Sequence, residues 1–142
     1  MKRFTLAMTA IAALMTAPIA AAEGVSLDVT VTGMETPSGV VRIALFQGEE
    51  AYESGPPLSG ENIDVTGDTV TIAFADLEPG AYGIKMYHDI NDDGDMNANP
   101  FGMPTEPYAF SNNAKGRFGP AKWADASFTV SSDGATQTIT LK

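Results

Sequence analysis

From Val25 onward, apolar and polar residues alternate in short runs separated by turn-forming clusters. Val25, Leu27, Val29 and Val31 interleave with Ser26, Asp28, Thr30 and Thr32, the period of two expected of a strand with one buried face. Gly33 to Gly39, with Pro37 and Ser38, supplies a turn; Val41, Ile43 and Leu45 then resume the alternation, with Arg42 facing outward. These two runs are expected to form a hairpin or adjacent strands. Gln47 to Gly60 is polar and contains Pro56-Pro57, which predicts a connection with one helical turn around Glu49 to Glu53. Ile63 and Val65 predict a short strand, Gly67-Asp68 a turn, and Val70, Ile72 and Phe74 a further strand. Pro79-Gly80 makes a tight turn into a strand that begins at Tyr82 and sets Ile84, Met86 and His88 on one face. Phe128 and Val130, a turn at Ser131 to Gly134, and then Ile139 and Leu141 complete the pattern. About seven short strands without a sustained helical period predict an all-β chain, an antiparallel β-sandwich of the Ig-like or prealbumin-like kind.

Asp89 to Asp125 breaks this rhythm. Loops beyond about 12–15 residues are uncommon in compact domains unless they carry their own organisation. This one holds Phe101, Tyr108, Phe110, Phe118 and Trp123, too many aromatics for a solvated linker. The aromatics are expected either to line a ligand groove or to form a satellite core that anchors the loop. The segment also carries Lys115, Arg117 and Lys122, which are expected to fold back toward its acidic start.

Residues 1–22 stand apart. Lys2 and Arg3 precede an apolar run from Phe4 to Ala17, then Pro18 and Ala20-Ala21-Ala22. This is the layout of a secretory signal peptide with cleavage after Ala22, and the run is shorter than the roughly 20 residues of a membrane span. The expectation is therefore a single domain over 23–142, exported to the periplasm or secreted, with no membrane insertion after cleavage. Removing Lys2 and Arg3 moves the formal charge from −10 to −12, which disfavours nucleic acid and anionic lipid as partners. The chain contains no cysteine, so no disulfide holds it and its core, a metal, or both must do so.

Candidate chemistry concentrates at the start of the long loop. Asp89-Ile90-Asn91-Asp92-Asp93-Gly94-Asp95-Met96-Asn97 places oxygen-bearing side chains at every second position, with a glycine sixth from the first aspartate. Four aspartates with no cation among them repel by roughly 0.7 kcal/mol per pair at 6 Å even in water-like dielectric. A hard cation would reverse that sign. The spacing suits calcium, with Asp89, Asn91, Asp93, Asp95 and Asn97 as ligands, Asp92 pointing away and Gly94 at positive φ. The twelfth position, which a bidentate glutamate would fill, is Pro100, so a closing carboxylate has to come from elsewhere. Glu106 is the first choice and Asp125 the second. The alternative is a solvated acidic turn.

His88, the one histidine, is expected either to act beside the acidic loop or to fix the loop's start by a backbone hydrogen bond. Ser111 with Asn112 and Asn113 offers a nucleophile and amide donors, but lacks an elbow motif and reads equally as a polar turn.

Two sets of residues carry a resemblance. Leu77-x-Pro79-Gly80-x-Tyr82 resembles the turn-and-strand signature of transthyretin-like and collagen-adhesin-B-like sandwiches. A second set begins with His88-Asp89-x-Asn91-x-Asp93-Gly94 and Gly102-x-Pro104-x-Glu106-x-Tyr108-x-Phe110-Ser111-Asn112-Asn113-Ala114. It continues with Gly119-Pro120 and Asp125-Ala126-x-Phe128. That set resembles the bacterial envelope family called domain of unknown function 2141, with Ala109 and Ala121 off its pattern. The resemblance implies an exported bacterial sandwich and assigns no activity.

Three functions follow as expectations. The first is a binding module whose calcium-ordered loop presents His88, Phe101, Tyr108, Phe110 and Trp123 to a small molecule, a peptide or an envelope protein. The second is a small hydrolase-like enzyme using His88 with Asp89 or Glu106. The third is a structural envelope component that associates through strand edges.

Overall fold

The computed structural model describes residues 23–142; the expected signal segment, 1–22, lies outside them. Eight strands and two short helices follow in order. They are β1 (Val25–Thr32), β2 (Val40–Gln47), α1 (Glu49–Ser54), β3 (Ser59–Asp64), β4 (Thr69–Leu77) and β5 (Gly80–Asp89). Then come β6 (Tyr108–Phe110), a 3-10 turn at Ser111–Asn113, α2 (Trp123–Ala126), β7 (Phe128–Val130) and β8 (Ala135–Thr140). The all-β sandwich is thus present, with one strand more than the seven expected.

The smaller sheet runs β4-β1-β8, with β1–β4 antiparallel and β1–β8 parallel. The larger runs β3-β2-β5-β6 and is antiparallel throughout. β7 also pairs with β5, at Gly80 to Tyr82, so two short strands share that edge of β5. The expected β1–β2 hairpin is absent, because the Gly33–Gly39 turn carries the chain from one sheet to the other and buries Met34 between them. The 59–64 region, expected to start as a connection, pairs with β2 from Ser59 onward.

Alternation decides what fills the space between the sheets. Leu27, Val29 and Val31 of β1 meet Val41, Ile43 and Leu45 of β2 and Tyr82, Ile84 and Met86 of β5. Each such buried side chain contributes about 1.5–3 kcal/mol of transfer free energy. Tyr82 also donates its hydroxyl to the Glu78 carbonyl at 2.6 Å, which pins the Pro79-Gly80 turn and fixes where β5 begins.

The 3-10 turn ties the two sheets together. Asn112 and Asn113 both stand at positive φ, 58° and 52°. From there Asn112 exchanges hydrogen bonds with Gln137, while Asn113 donates to the Thr138 carbonyl and accepts from the Thr140 amide. The outer edge of β8 is covered as a result.

Candidate ligand groove on the outer face of the larger sheet

The alternation that sends Val41, Ile43, Ile84 and Met86 inward sends Arg42, Ala44 and Phe46 of β2 outward with Gly83, Lys85, Tyr87 and Asp89 of β5. Register with β6 sets Phe110 opposite Lys85 and Tyr108 opposite Tyr87, so both aromatics join this face. An exposed sheet face is normally polar. This one is half aromatic, and the long loop and both helices lie over it.

At one end of the face a second apolar cluster forms from Phe46, Tyr52, Phe110, Ala121 and Ala126, with Trp123 packed against it. Tyr52 meets Phe46 edge-on and Trp123 at a tilt, with ring centroids 5.6 Å apart in both pairs. Gly83 makes this possible, since a Cβ there would stand 2.6 Å from the Tyr52 ring. The buried Tyr52 hydroxyl donates to the Ala121 carbonyl at 3.0 Å. Burial, and then the nearby Glu53 charge, push its pKa up to about 12.

At the other end a cation does sit among the aspartates, and it is Arg42. Its Nε donates to Asp89 Oδ2 at 2.7 Å and its Nη2 to Asp92 Oδ1 at 2.8 Å. Asp89 is fully buried. Its Oδ1 accepts from the Asp93 amide and its Oδ2 also from the Gly94 amide, at 3.1 and 2.9 Å. Burial alone would raise the Asp89 carboxyl, but the Arg42 hydrogen bond together with the two amides holds it below the ordinary carboxylate value. Asp93 accepts from the side chains of Asn91 and Asn97 and from the Asp95 amide. The Asn97 bond first, then the amide, lower its pKa too. Glu106 closes the loop: Oε1 accepts from the Ile90 amide at 2.9 Å and Oε2 from the Asn97 amide at 3.0 Å. Gly94 stands at φ 87° as expected.

The six residues assigned to calcium therefore share one compact loop, but as placed they do not form a coordination shell. Both Asp89 oxygens and both Glu106 oxygens accept from loop amides, and Asp89 also accepts from the Arg42 guanidinium. Among the described residues no three His, Asp or Glu side chains stand together in a way that would hold an ion. Asp92, expected to point away, is the second partner of Arg42. Lys115, Arg117 and Lys122 do not return to the acidic turn; the ion pairs of the described residues are those of Arg42.

Between the two ends lies a groove of about 910 Å³. Its floor is Ala44, Phe46, Lys85, Tyr87, Tyr108 and Phe110, and its rim is Met96, Phe101, Met103 and Phe118. The rim residues are the most exposed apolar side chains of the loop, with Phe101 90% and Phe118 113% accessible. Lys85 lies at the inner end. Its ammonium is 4.3 Å from the centroid of the Tyr52 ring and 4.9 Å from that of Phe46, and it donates to the Tyr52 carbonyl. Burial lowers its pKa, and the Glu53 charge opposes that shift.

The expected recognition residues divide accordingly. Phe101, Tyr108 and Phe110 line the groove, whereas Trp123 is packed into the second cluster and does not. His88 faces the interior, is fully buried, and does not line this groove. Its Nε2 meets the Ser38 carbonyl at 2.6 Å and its Nδ1 has no partner. The pairing of His88 with Asp89 or Glu106 is not formed, because side chains at 88 and 89 leave the strand on opposite faces. Ser111 is buried as well, accepting from the Ile84 amide and donating to the Ala126 carbonyl, a joint between β5 and α2. Asp125, second choice as a closing ligand, sits in α2 and offers its backbone carbonyl to Asn112. Sequence reasoning passed over Lys85, Tyr87, Phe46, Met96 and Met103. A signal for the first three was present: the positions between inward residues of β2 and β5 are Ala44, Phe46, Lys85 and Tyr87, too apolar a set for a solvated face.

The family described as an uncharacterized protein conserved in bacteria (DUF2141) matches residues 29–139. The chain belongs to this family. The span covered by the DUF2141 match runs from within β1 to within β8 and includes the Arg42 clasp, the whole long loop and every residue of the groove floor. No curated protein and no solved structure matches the chain.

Proposed function

We propose that this protein is an exported binding module that takes a small amphipathic molecule in the groove between the larger sheet and the long loop. One observation carries the reading. The groove's volume, about 910 Å³, falls in the range of small-molecule sites, and its lining is mostly apolar with two cationic side chains. An apolar rim as exposed as Phe101, Met103 and Phe118 marks an interaction surface rather than a solvated loop. The start of the loop that carries the rim is held by Arg42, Asp89 and Glu106. Export is part of the proposal on the strength of residues 1–22, and an envelope location and a transthyretin-like form of the sandwich are part of it on the strength of the motif likeness.

A neutral apolar dye such as Nile red tests the reading. Saturable fluorescence enhancement is expected in the wild type and a loss of about thirtyfold in affinity in the double variant Phe101→Ser with Phe118→Ser, each ring removed accounting for roughly 1 kcal/mol of contact. Unsaturable binding, or equal binding by the variant, overturns it.

A further inference from the structure

Two cations line the groove, and they differ in how they are satisfied. Arg42 is committed to Asp89 and Asp92 through short hydrogen bonds. Lys85 makes one hydrogen bond, to a neutral carbonyl, and among the described residues no carboxylate lies within salt-bridge distance of it. Glu53, the acid whose field reaches it, already accepts from the Trp123 amide at 2.8 Å. An ammonium has three donors, so two are left without a protein partner at the floor of an apolar groove. The Phe46 and Tyr52 rings hold the charge in place but accept no conventional hydrogen bond. In a chain of net charge −12 after loss of the N-terminal segment, reached from −10 by removing Lys2 and Arg3, a cation without a carboxylate partner lining a mostly apolar groove is a selective feature.

Resting on the groove reading, we infer that the ligand is an amphipathic monoanion, a carboxylate on an apolar tail, with the carboxylate held by Lys85 beside α1 and the tail beneath Phe101 and Met103. One ammonium with two spare donors matches one carboxylate. A polyanion would meet the surrounding acidic field with nothing further to offset it. The floor of the groove follows β2 from Arg42 to Phe46, roughly 13 Å at about 3.3 Å per residue, long enough for a medium-length chain or a two-ring acid.

The test is displacement of Nile red by decanoate, 1-decanol and decyltrimethylammonium from the wild type, Lys85→Gln, Lys85→Arg and the Phe101→Ser, Phe118→Ser pair. In the wild type decanoate is expected to bind at least about tenfold tighter than decanol, the scale of a charge-assisted hydrogen bond. Lys85→Gln brings the two within about twofold of one another, and Lys85→Arg restores the preference for the anion. The rim variant weakens all three ligands together. Equal affinity for decanoate and decanol in the wild type, or tightest binding of the cation, overturns the inference while leaving the groove reading standing. Failure of every ligand to compete overturns both. Binding to anionic vesicles without binding to free decanoate also overturns it, since a membrane surface would then be the partner.

Discussion

Arg42 and Lys85 occupy the same face of the same sheet as diagonal neighbours on adjacent strands, yet they do opposite things. Arg42 is surrounded by carboxylates and organises chain: Asp89 reaches from it to two loop amides, and Asp92 holds its far side. Lys85 is surrounded by aromatic rings, has no carboxylate partner among the described residues, and opens onto a groove. The first cation has its field cancelled within the protein and is left with a structural task. The second keeps its field for something that arrives from outside. Two basic residues on neighbouring strands thus separate into clasp and anchor according to which side chains the loop delivers to each.

The contrast is broken most directly at the clasp. Asp89→Ala removes an acceptor shared by Arg42 and the Asp93 and Gly94 amides. Hydrogen exchange at those amides is expected to accelerate by at least about tenfold, the scale of one lost hydrogen bond, and the melting temperature to fall further than in any Lys85 or groove-rim variant. Undisturbed exchange in the 90–106 segment would show that the clasp does not organise the loop.

Acid sharpens the same point. The Asp89 and Asp93 carboxyls lie below their ordinary value of 3.8 in the folded protein. A group lowered in this way contributes stability that is complete above its unfolded pKa and is lost as pH falls through the folded one. Thermal stability is therefore expected to hold from neutrality down to about pH 4 and decline below it, with the loop exchanging first. Asp89→Asn should flatten part of that decline; an unchanged acid limb in this variant would mean that Asp89 does not supply the acid-labile stability.

Lys85→Gln is expected to cost less than about 1 kcal/mol of stability, the worth of a partly exposed cation–π contact, while removing the preference for an anionic ligand. A larger loss in urea denaturation would make Lys85 a second structural residue and erase its difference from Arg42. Calcium gives the smallest expected effect. With the Asp89, Asp93 and Glu106 oxygens already accepting hydrogen bonds, millimolar calcium and chelator should give the same melting curve, whereas a site with a dissociation constant near roughly 10⁻⁴ M would raise the midpoint by several degrees.

The architecture was legible because it follows from a period of two. Val25 to Val31, Val41 to Leu45, Val70 to Phe74 and Ile84 to His88 each carry their burial in the identity of alternate residues, and that information is local. β6 and α2 were not visible for the converse reason. Tyr108–Phe110 is three residues long and is a strand only because β5 offers it an edge, and Trp123–Ala126 is a single turn kept by contact with Tyr52.

At the site the division is the same. Residue types alone established that a crowd of carboxylates leaves β5 and calls for positive charge nearby, and that the loop beyond it carries more aromatics than a solvated linker. Which charge answers that need is a matter of pairing between distant segments: β2 and β5 lie antiparallel with Arg42 opposite Tyr87, and this brings a residue 47 positions away onto Asp89. Spacing along one strand of chain describes the donors an ion would see. It holds no information on a guanidinium delivered from the neighbouring strand, because register is fixed by burial on the opposite face of the sheet.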